Sequence, residues 1–116
     1  MKLYEKSCSP SSEGDQPYTQ DEAEELMTEL SPEWELFAEA KKLRREFKFK
    51  NFKSPMKLAM IIGDIAETEN HHPDLIIRWG FLATIITTHD VGGLVESDFI
   101  FASKVDSAFN RFSELL

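Results

Sequence analysis

The chain has 116 residues and a formal net charge of −8 at pH 7, and 41% of its residues are hydrophobic. This length and composition favour one globular domain with a single core and exclude a disordered chain. The acidic balance argues against nucleic-acid binding, and no apolar run approaches the roughly 18 residues of a membrane span. A single cysteine, Cys8, excludes an internal disulfide. We therefore expect a soluble cytoplasmic protein with no nucleic-acid partner and no membrane partner.

Residues 1–18 are rich in Ser, Pro and Gly and lack hydrophobic periodicity. They are predicted to form a flexible N-terminal arm ahead of a single domain at residues 19–116. The domain begins with a helix, because Thr19 and Glu22 have the spacing of a capping box. Ser31-Pro32 ends this helix. One apolar stripe marks its buried side: Ala23, Leu26, Met27 and Leu30.

Between Trp34 and Lys50 the apolar residues alternate with charged ones. This pattern predicts two half-buried strands joined by a turn near residues 39–41, with Trp34 packed in the core or at its edge. The basic and aromatic sequence KKLRREFKFK at residues 41–50 also suits single-stranded nucleic acid. Its alternation at the strand period favours an amphipathic strand with a solvated face.

A second helix is predicted to start with Ser54 as its N-cap and Pro55 in the first helical position. It should end near Asn70, because Pro73 disfavours helix in the residue ahead of it. A glycine in mid-helix, Gly63, suggests close packing against a neighbour. The predicted buried stripe comprises Met56, Ala59, Met60, Gly63 and Ala66 or Glu67.

The β-branched and aromatic run Leu75–Asp90 predicts two strands divided at Gly80. The second piece, Phe81–His89, is apolar on both faces at its middle, so we expect a central or intersubunit strand. A last helix is predicted over Glu96–Leu115. Its apolar face is expected to comprise Ile100, Val105, Phe109, Phe112 and Leu116, with Phe99 and Phe101 on the flanks.

The order of these elements predicts an α+β fold. It is a two-layer α-β-β-α-β-β-α chain with a four-stranded antiparallel sheet and three helices on one face. The uncovered face or edge of such a sheet favours oligomerisation.

All three histidines, His71, His72 and His89, fall at predicted element boundaries. A three-histidine metal site is disfavoured, because adjacent side chains in an extended segment point to opposite sides. Two interpretations remain from the pattern alone. The histidines either stabilise the C-terminus of a helix through its dipole or carry out acid–base chemistry.

The spacing Glu67-x₃-His71-His72-Pro73-x₅-Trp79-x₉-His89-x₈-Asp98 resembles the signature of the pterin-4a-carbinolamine dehydratases. In animals this family is also known as the dimerisation cofactor of a homeodomain transcription factor. The arm EKSCSP, the strand entry WEL and the segment FKFKNF are similar to the family pattern as well. The resemblance extends from about Leu3 to Val105, and the family's α-β-β-α-β-β-α fold agrees with the order above.

The resemblance implies a lyase that dehydrates 4a-hydroxytetrahydrobiopterin to quinonoid dihydrobiopterin, with no metal or redox cofactor. It implies His71, His72 and His89 as catalytic residues, with His71 and His89 as the principal proton-transfer pair. Glu67, one helical turn before His71, is expected to orient that histidine. The implied substrate-binding residues are Glu67, Asn70, Pro73, Trp79 and Asp98.

The chain departs from the family pattern near its last helix, where Val95 lacks the capping side chain that many relatives carry. The resemblance also implies a homodimer or homotetramer and a pathway partner among the aromatic amino-acid hydroxylases. Two alternatives to this activity stay open: a non-catalytic, oligomeric interaction module, and a related activity on molybdopterin-type compounds.

Overall fold

The computed structural model describes residues 2–11 and 14–116. Met1, Ser12 and Glu13, which belong to the predicted arm, lie outside the described residues. Three α-helices and four strands follow in the predicted order: α1 Gln20–Met27, β1 Glu35–Phe37, β2 Lys42–Lys48, α2 Lys53–Glu69, β3 Asp74–Arg78, β4 Phe81–Ile86 and α3 Glu96–Ser113. Two short 3₁₀ turns, Leu3–Glu5 and His89–Val91, complete the fold. In the part of the chain described, no helix is both long enough and apolar enough to cross a membrane.

The four strands form one antiparallel sheet in the order β1-β2-β4-β3. The predicted α+β fold is confirmed, and β4 is the central strand that its apolar faces indicate. Because side chains alternate along a strand, every second residue faces the helices. Leu43 and Phe47 of β2 and Leu82 and Ile86 of β4 form this inner face and are buried in the core.

Local signals predicted several features correctly. Thr19 caps α1 through a capping box: its Oγ1 accepts the Glu22 N–H at 3.2 Å, and Glu22 Oε1 accepts the Thr19 N–H at 2.8 Å. Trp34 packs in the core with 4% exposure. Gly80, with φ +67°, separates β3 from β4, and an added Cβ there would lie 2.7 Å from the Phe49 carbonyl oxygen. Glycine is therefore the residue that this turn requires.

The predicted start and buried stripe of α2 need correction. The helix begins at Lys53 rather than after Ser54, and Asn51 Oδ1 accepts the Ser54 N–H at 2.7 Å. Met56 and Met60 are 42% and 68% exposed, and a Cβ added at Gly63 would meet nothing within 4 Å. Successive residues of a helix are rotated by about 100° about its axis. A buried stripe that is predicted one residue out of place therefore lies on a different face of the helix. The buried residues are Ser54, Pro55, Leu58, Ala59, Ile62 and Ala66.

The assignment of the α3 face is also partly wrong. Phe99 and Phe101 are fully buried rather than flanking, whereas Leu116 is 66% exposed and follows the end of the helix. The physical reason is that α3 packs against α2 and the turn Leu3–Glu5 as well as against the core of the sheet. A helix covered from several sides buries more than one stripe.

A buried ion pair joins the sheet to α3. Arg45 of β2 pairs with Asp106 of α3, and the guanidinium also lies over the rings of Phe47 and Phe109. The same carboxylate accepts the Trp34 indole N–H at 2.7 Å and the Ser31 backbone N–H at 2.9 Å. This network compensates the buried charge of Asp106 and joins the two layers, although Arg45 Nε is buried without a hydrogen-bond partner among the described residues.

Candidate active site

The end of α2 presents two of the histidines. Asn70 adopts a left-handed conformation with φ +52°, and the His71 N–H donates to the Ala66 carbonyl oxygen at 3.2 Å. Asparagine tolerates this conformation better than most residues, so it stops the helix and turns the chain. His71 and His72 therefore lie in the connection between α2 and β3, away from the helix axis.

His71 is held by a buried carboxylate. Its Nε2 lies 2.8 Å from Asp98 Oδ1, and the two side chains are 13% and 0% exposed. The other Asp98 oxygen accepts the Thr88 hydroxyl at 2.7 Å and the Val95 backbone N–H at 2.8 Å. A neutral histidine that donates from Nε2 to a carboxylate has no hydrogen on Nδ1. Asp98 thus orients the imidazole and selects its tautomer.

The same contacts explain how α3 starts at Glu96 although its N-cap residue, Val95, has no capping side chain. Asp98 reaches back to the Val95 N–H, which is half of a capping box, and its own N–H donates to the Val95 carbonyl at 3.1 Å. Asp98 therefore both stabilises the helix start and holds a histidine.

His72 is paired with a different carboxylate. Its Nε2 lies 2.6 Å from Glu67 Oε2, and the side chains are 56% and 80% exposed. Glu67 pairs with His72 rather than with His71, the partner predicted from the helical spacing. The reason is the turn at Asn70, which takes His71 out of the i, i+4 position that a continuing helix would give it.

His89 begins the 3₁₀ turn that follows β4. This turn is closed by Gly92, which has φ +72° and donates its N–H to the His89 carbonyl at 3.1 Å. No side-chain hydrogen bond or ion pair of His89 occurs within the part of the chain that is described. Both ring nitrogens are therefore available to a ligand.

The three histidines line one cleft of about 300 Å³. Asn70 lines it too, whereas Asp98 and Glu67 hold the histidines from behind or beside. Trp79 lies in the turn between β3 and β4, is 69% exposed, and is outside the set of residues lining this cleft, as is Pro73. Among residues 2–11 and 14–116, no group of three His, Cys, Asp or Glu side chains is arranged to hold a metal ion.

Several lining residues were not predicted from the sequence. Thr87, Thr88 and Asp90 flank His89, and their proximity to that histidine is the signal that could have found them. Ser97 precedes the motif aspartate. The arm residues Ser9, Pro10 and Ser11 also line the cleft, and a Ser- and Pro-rich segment has no periodicity from which to predict such a position.

Comparison with known proteins agrees with the resemblance read from the motif. The model of the family described as pterin 4 alpha carbinolamine dehydratase matches residues 16–108. Relatives from Alkaliphilus metalliredigens and Methylococcus capsulatus, each named "Putative pterin-4-alpha-carbinolamine dehydratase", are 45% and 44% identical over 104 residues. Each alignment covers 90% of this chain, with 93% and 90% of the respective relative.

A solved structure has the same fold. It is described as a transcriptional coactivator/pterin dehydratase from Brucella melitensis, with a TM-score of 0.72 and 25% identity. The match covers 79% of this chain and 97% of that one. Sequence motif, family model and fold agree, and the chain belongs to the pterin-4a-carbinolamine dehydratase family.

Proposed function

We propose that the protein is a hydro-lyase that converts 4a-hydroxytetrahydrobiopterin into quinonoid dihydrobiopterin by histidine acid–base catalysis. The observation that carries this proposal is the convergence of His71, His72 and His89 on one cleft. The reaction moves protons and releases water without any change of oxidation state. An acid must protonate the departing 4a-hydroxyl, and a base must accept a proton from a ring nitrogen.

His71 is suited to hold a proton transiently. Asp98 fixes its ring and stabilises the imidazolium that forms when Nδ1 accepts a proton. The low exposure of this pair strengthens the electrostatic interaction between them. We assign His71 to the proton-transfer pair for these reasons.

His89 is the second member of the pair in this proposal. Its ring nitrogens lack a protein partner among the described side chains, so it can take a proton from solvent and deliver it to the 4a-hydroxyl. His72, held by Glu67 at the exposed rim, contacts the substrate. Asn70 lines the cleft beside them and is the remaining polar contact that we assign to the pterin.

We further propose that the chain works as a homodimer or homotetramer in the cytoplasm, in the recycling of tetrahydrobiopterin after aromatic amino-acid hydroxylation. The exposed Met56 and Met60 on one side of α2 support self-association, because large apolar side chains on a surface favour an interface. The solved relative's description as a transcriptional coactivator favours an interaction role as the second candidate.

The test is a dehydratase assay on substrate generated enzymatically, with no metal added. Wild-type protein should accelerate formation of the quinonoid product over the buffer rate. His71→Ala and His89→Ala should each lower kcat/KM by on the order of 10²–10⁴-fold. Glu25→Ala, at an exposed position of α1, is the control variant and should keep the wild-type rate. A wild-type rate equal to that of buffer would refute the enzyme and leave the interaction role.

A further inference from the structure

A wall of the histidine cleft comes from the N-terminal segment Cys8–Ser11. Ser9, Pro10 and Ser11 line the cleft together with residues that follow α2 and β4. This segment is separated from the histidines by some sixty residues of sequence or more. Its position therefore depends on tertiary contacts and not on the local chain.

One side chain fastens the segment at two points. Ser97 Oγ accepts the Ser9 N–H at 2.9 Å and donates to the Ser9 carbonyl at 3.1 Å. The Ser97 carbonyl also accepts the Cys8 thiol at 3.4 Å. A hydroxyl donates and accepts at one atom, so the small hydroxyl side chains Ser and Thr can make both of these hydrogen bonds from position 97. Ser97 is 6% exposed and adjoins Asp98, the partner of His71.

Further contacts join the segment to the elements that carry the histidines. The Cys8 N–H donates to Glu69 Oε1 at 2.8 Å, at the end of α2 two residues before His71. The Ser11 hydroxyl donates to Asp90 Oδ2 at 3.0 Å, next to His89. Each fastening thus lies within two residues of a histidine or of its carboxylate partner.

Both ends of the arm are anchored outside the cleft. Leu3 is buried with 5% exposure, and Lys104 Nζ donates to the Tyr4 carbonyl at 2.9 Å. On the other side, the Tyr18 N–H donates to the Leu94 carbonyl at 2.7 Å. Between these anchors, Ser9 and Pro10 are exposed to solvent, so the polar contacts described above contribute to holding Cys8–Ser11 in place.

We propose that Cys8–Ser11 is a substrate-contacting wall of the cleft and that Ser97 is the positioning residue that holds it against the pterin. The proposal rests on the proposed function for the nature of the substrate. Ser9, Pro10 and Ser11 line the cleft, and the Ser11 hydroxyl, which donates to Asp90, can still accept a hydrogen bond from an N–H group on the edge of a pterin. It acts in the ground state and the transition state alike, so its loss raises KM more than it lowers kcat.

The first experiment compares Ser97→Ala with Ser97→Thr. Ser97→Ala should raise KM by about fivefold or more while kcat changes less, since two hydrogen bonds of the wall are lost. Ser97→Thr keeps a hydroxyl and should restore KM to within about twofold of wild type. Ser113→Ala, which removes a hydroxyl from the far end of α3, is the matched control. Thermal unfolding of each variant shows whether the protein is folded in the assay.

The second experiment does not need the reaction. Cys8 is the one cysteine of the chain, and its alkylation by iodoacetamide reports the position of the wall. Burial, with Glu69 nearby, raises the pKa of Cys8 to about 12, so the closed wall protects the thiol. Oxidised biopterin, a ligand that does not react, should slow this alkylation in the wild type, and Ser97→Ala should accelerate it.

The two experiments separate this proposal from the proposed function. A KM of Ser97→Ala within about twofold of wild type in an active enzyme overturns the wall. An alkylation rate that biopterin leaves unchanged overturns it as well. If the wild type lacks dehydratase activity but biopterin still slows alkylation, the wall stands as a pterin-binding feature and the proposed reaction fails.

Discussion

Asp98→Asn is expected to abolish most activity by changing the tautomer of His71. The two carboxylate oxygens of Asp98 have different partners. Oδ2 accepts a backbone N–H from Val95 and the hydroxyl of Thr88, whereas Oδ1 faces His71 Nε2. A backbone N–H can only donate, so the single oxygen of an asparagine must stay on that side. The amide NH₂ then points at His71 and makes its Nε2 an acceptor.

The consequence is that the hydrogen of the imidazole moves to Nδ1, the atom proposed to accept the substrate proton. Loss of the base in its active tautomer is worth on the order of 10²–10⁴-fold in kcat, as for the comparable change in serine proteases. Stability should fall by about 1–3 kcal/mol, since one charge-assisted hydrogen bond becomes neutral in a fully buried site.

Three measurements check this prediction. Steady-state kinetics should show the loss in kcat, and chemical denaturation should show the smaller change in the free energy of unfolding. Two-dimensional NMR of the imidazole nitrogens should show Nε2–H in the wild type and Nδ1–H in Asp98→Asn. A variant with kcat within threefold of wild type, or with the wild-type tautomer and a large loss of kcat, would refute the reasoning.

Asp106→Asn is the matched control for this experiment. Asp106 lies on the same helix about 12 Å along its axis, and it also accepts a backbone N–H, from Ser31, together with two side-chain donors. Asp106 does not line the histidine cleft. Breaking its buried pair with Arg45 should cost about 3–5 kcal/mol of stability and leave the kcat of the folded fraction near the wild-type value.

The remaining predictions concern α2, the arm and the rim of the cleft. Gly63→Ala should raise the free energy of unfolding by up to about 1 kcal/mol in denaturant titrations, because the added methyl group meets nothing within 4 Å; a decrease would show that a subunit packs closely there. The raised pKa values of Cys8, to about 12, and of Tyr18 mean that the folded chain retains these protons while the unfolded chain loses them. Stability should therefore fall as pH rises above about 9, and Cys8→Ser should reduce that fall, measured by thermal unfolding from pH 7 to 10.5. Glu67→Gln should lower kcat/KM by less than about tenfold, because its pair with His72 is exposed; a loss as large as that of His71→Ala would assign His72 to proton transfer.

Local chemistry explains why much of the fold was predictable. The capping box at Thr19 and the stop at Asn70 depend on residues within a few positions of each other, and the positive φ of Gly80 is likewise a property of a local turn. The alternation of apolar and charged residues in β2 predicts a strand with one buried face. The run of β4, which is apolar on both faces, predicts a strand in the centre of the sheet. The motif spacing likewise identified the family, because five separate parts of the motif occur in this sequence at the spacing of the family signature.

The flexibility assigned to residues 1–18 stays a prediction, as do the domain boundary at residue 19 and the catalytic roles. The described part of the arm nevertheless contacts the domain through Leu3, Cys8 and Ser9. A segment without periodicity gives no indication of its partners in the sequence, so its place at the cleft was not predictable.

The sequence by itself determined the order of helices and strands, the start of α1, the end of α2 and the set of histidines, whereas α1 ends at Met27, before the predicted stop at Ser31-Pro32. These depend on backbone preferences and on spacing along the chain. Only the tertiary structure decided which face of α2 is buried and which carboxylate holds which histidine. Asp98 contacts His71 although the two residues are 27 positions apart in the sequence. Glu67 does not pair with His71, because the left-handed conformation of Asn70 ends the helix between them. The physical reason is that such pairings depend on how packed layers direct side chains, and sequence spacing does not contain that direction.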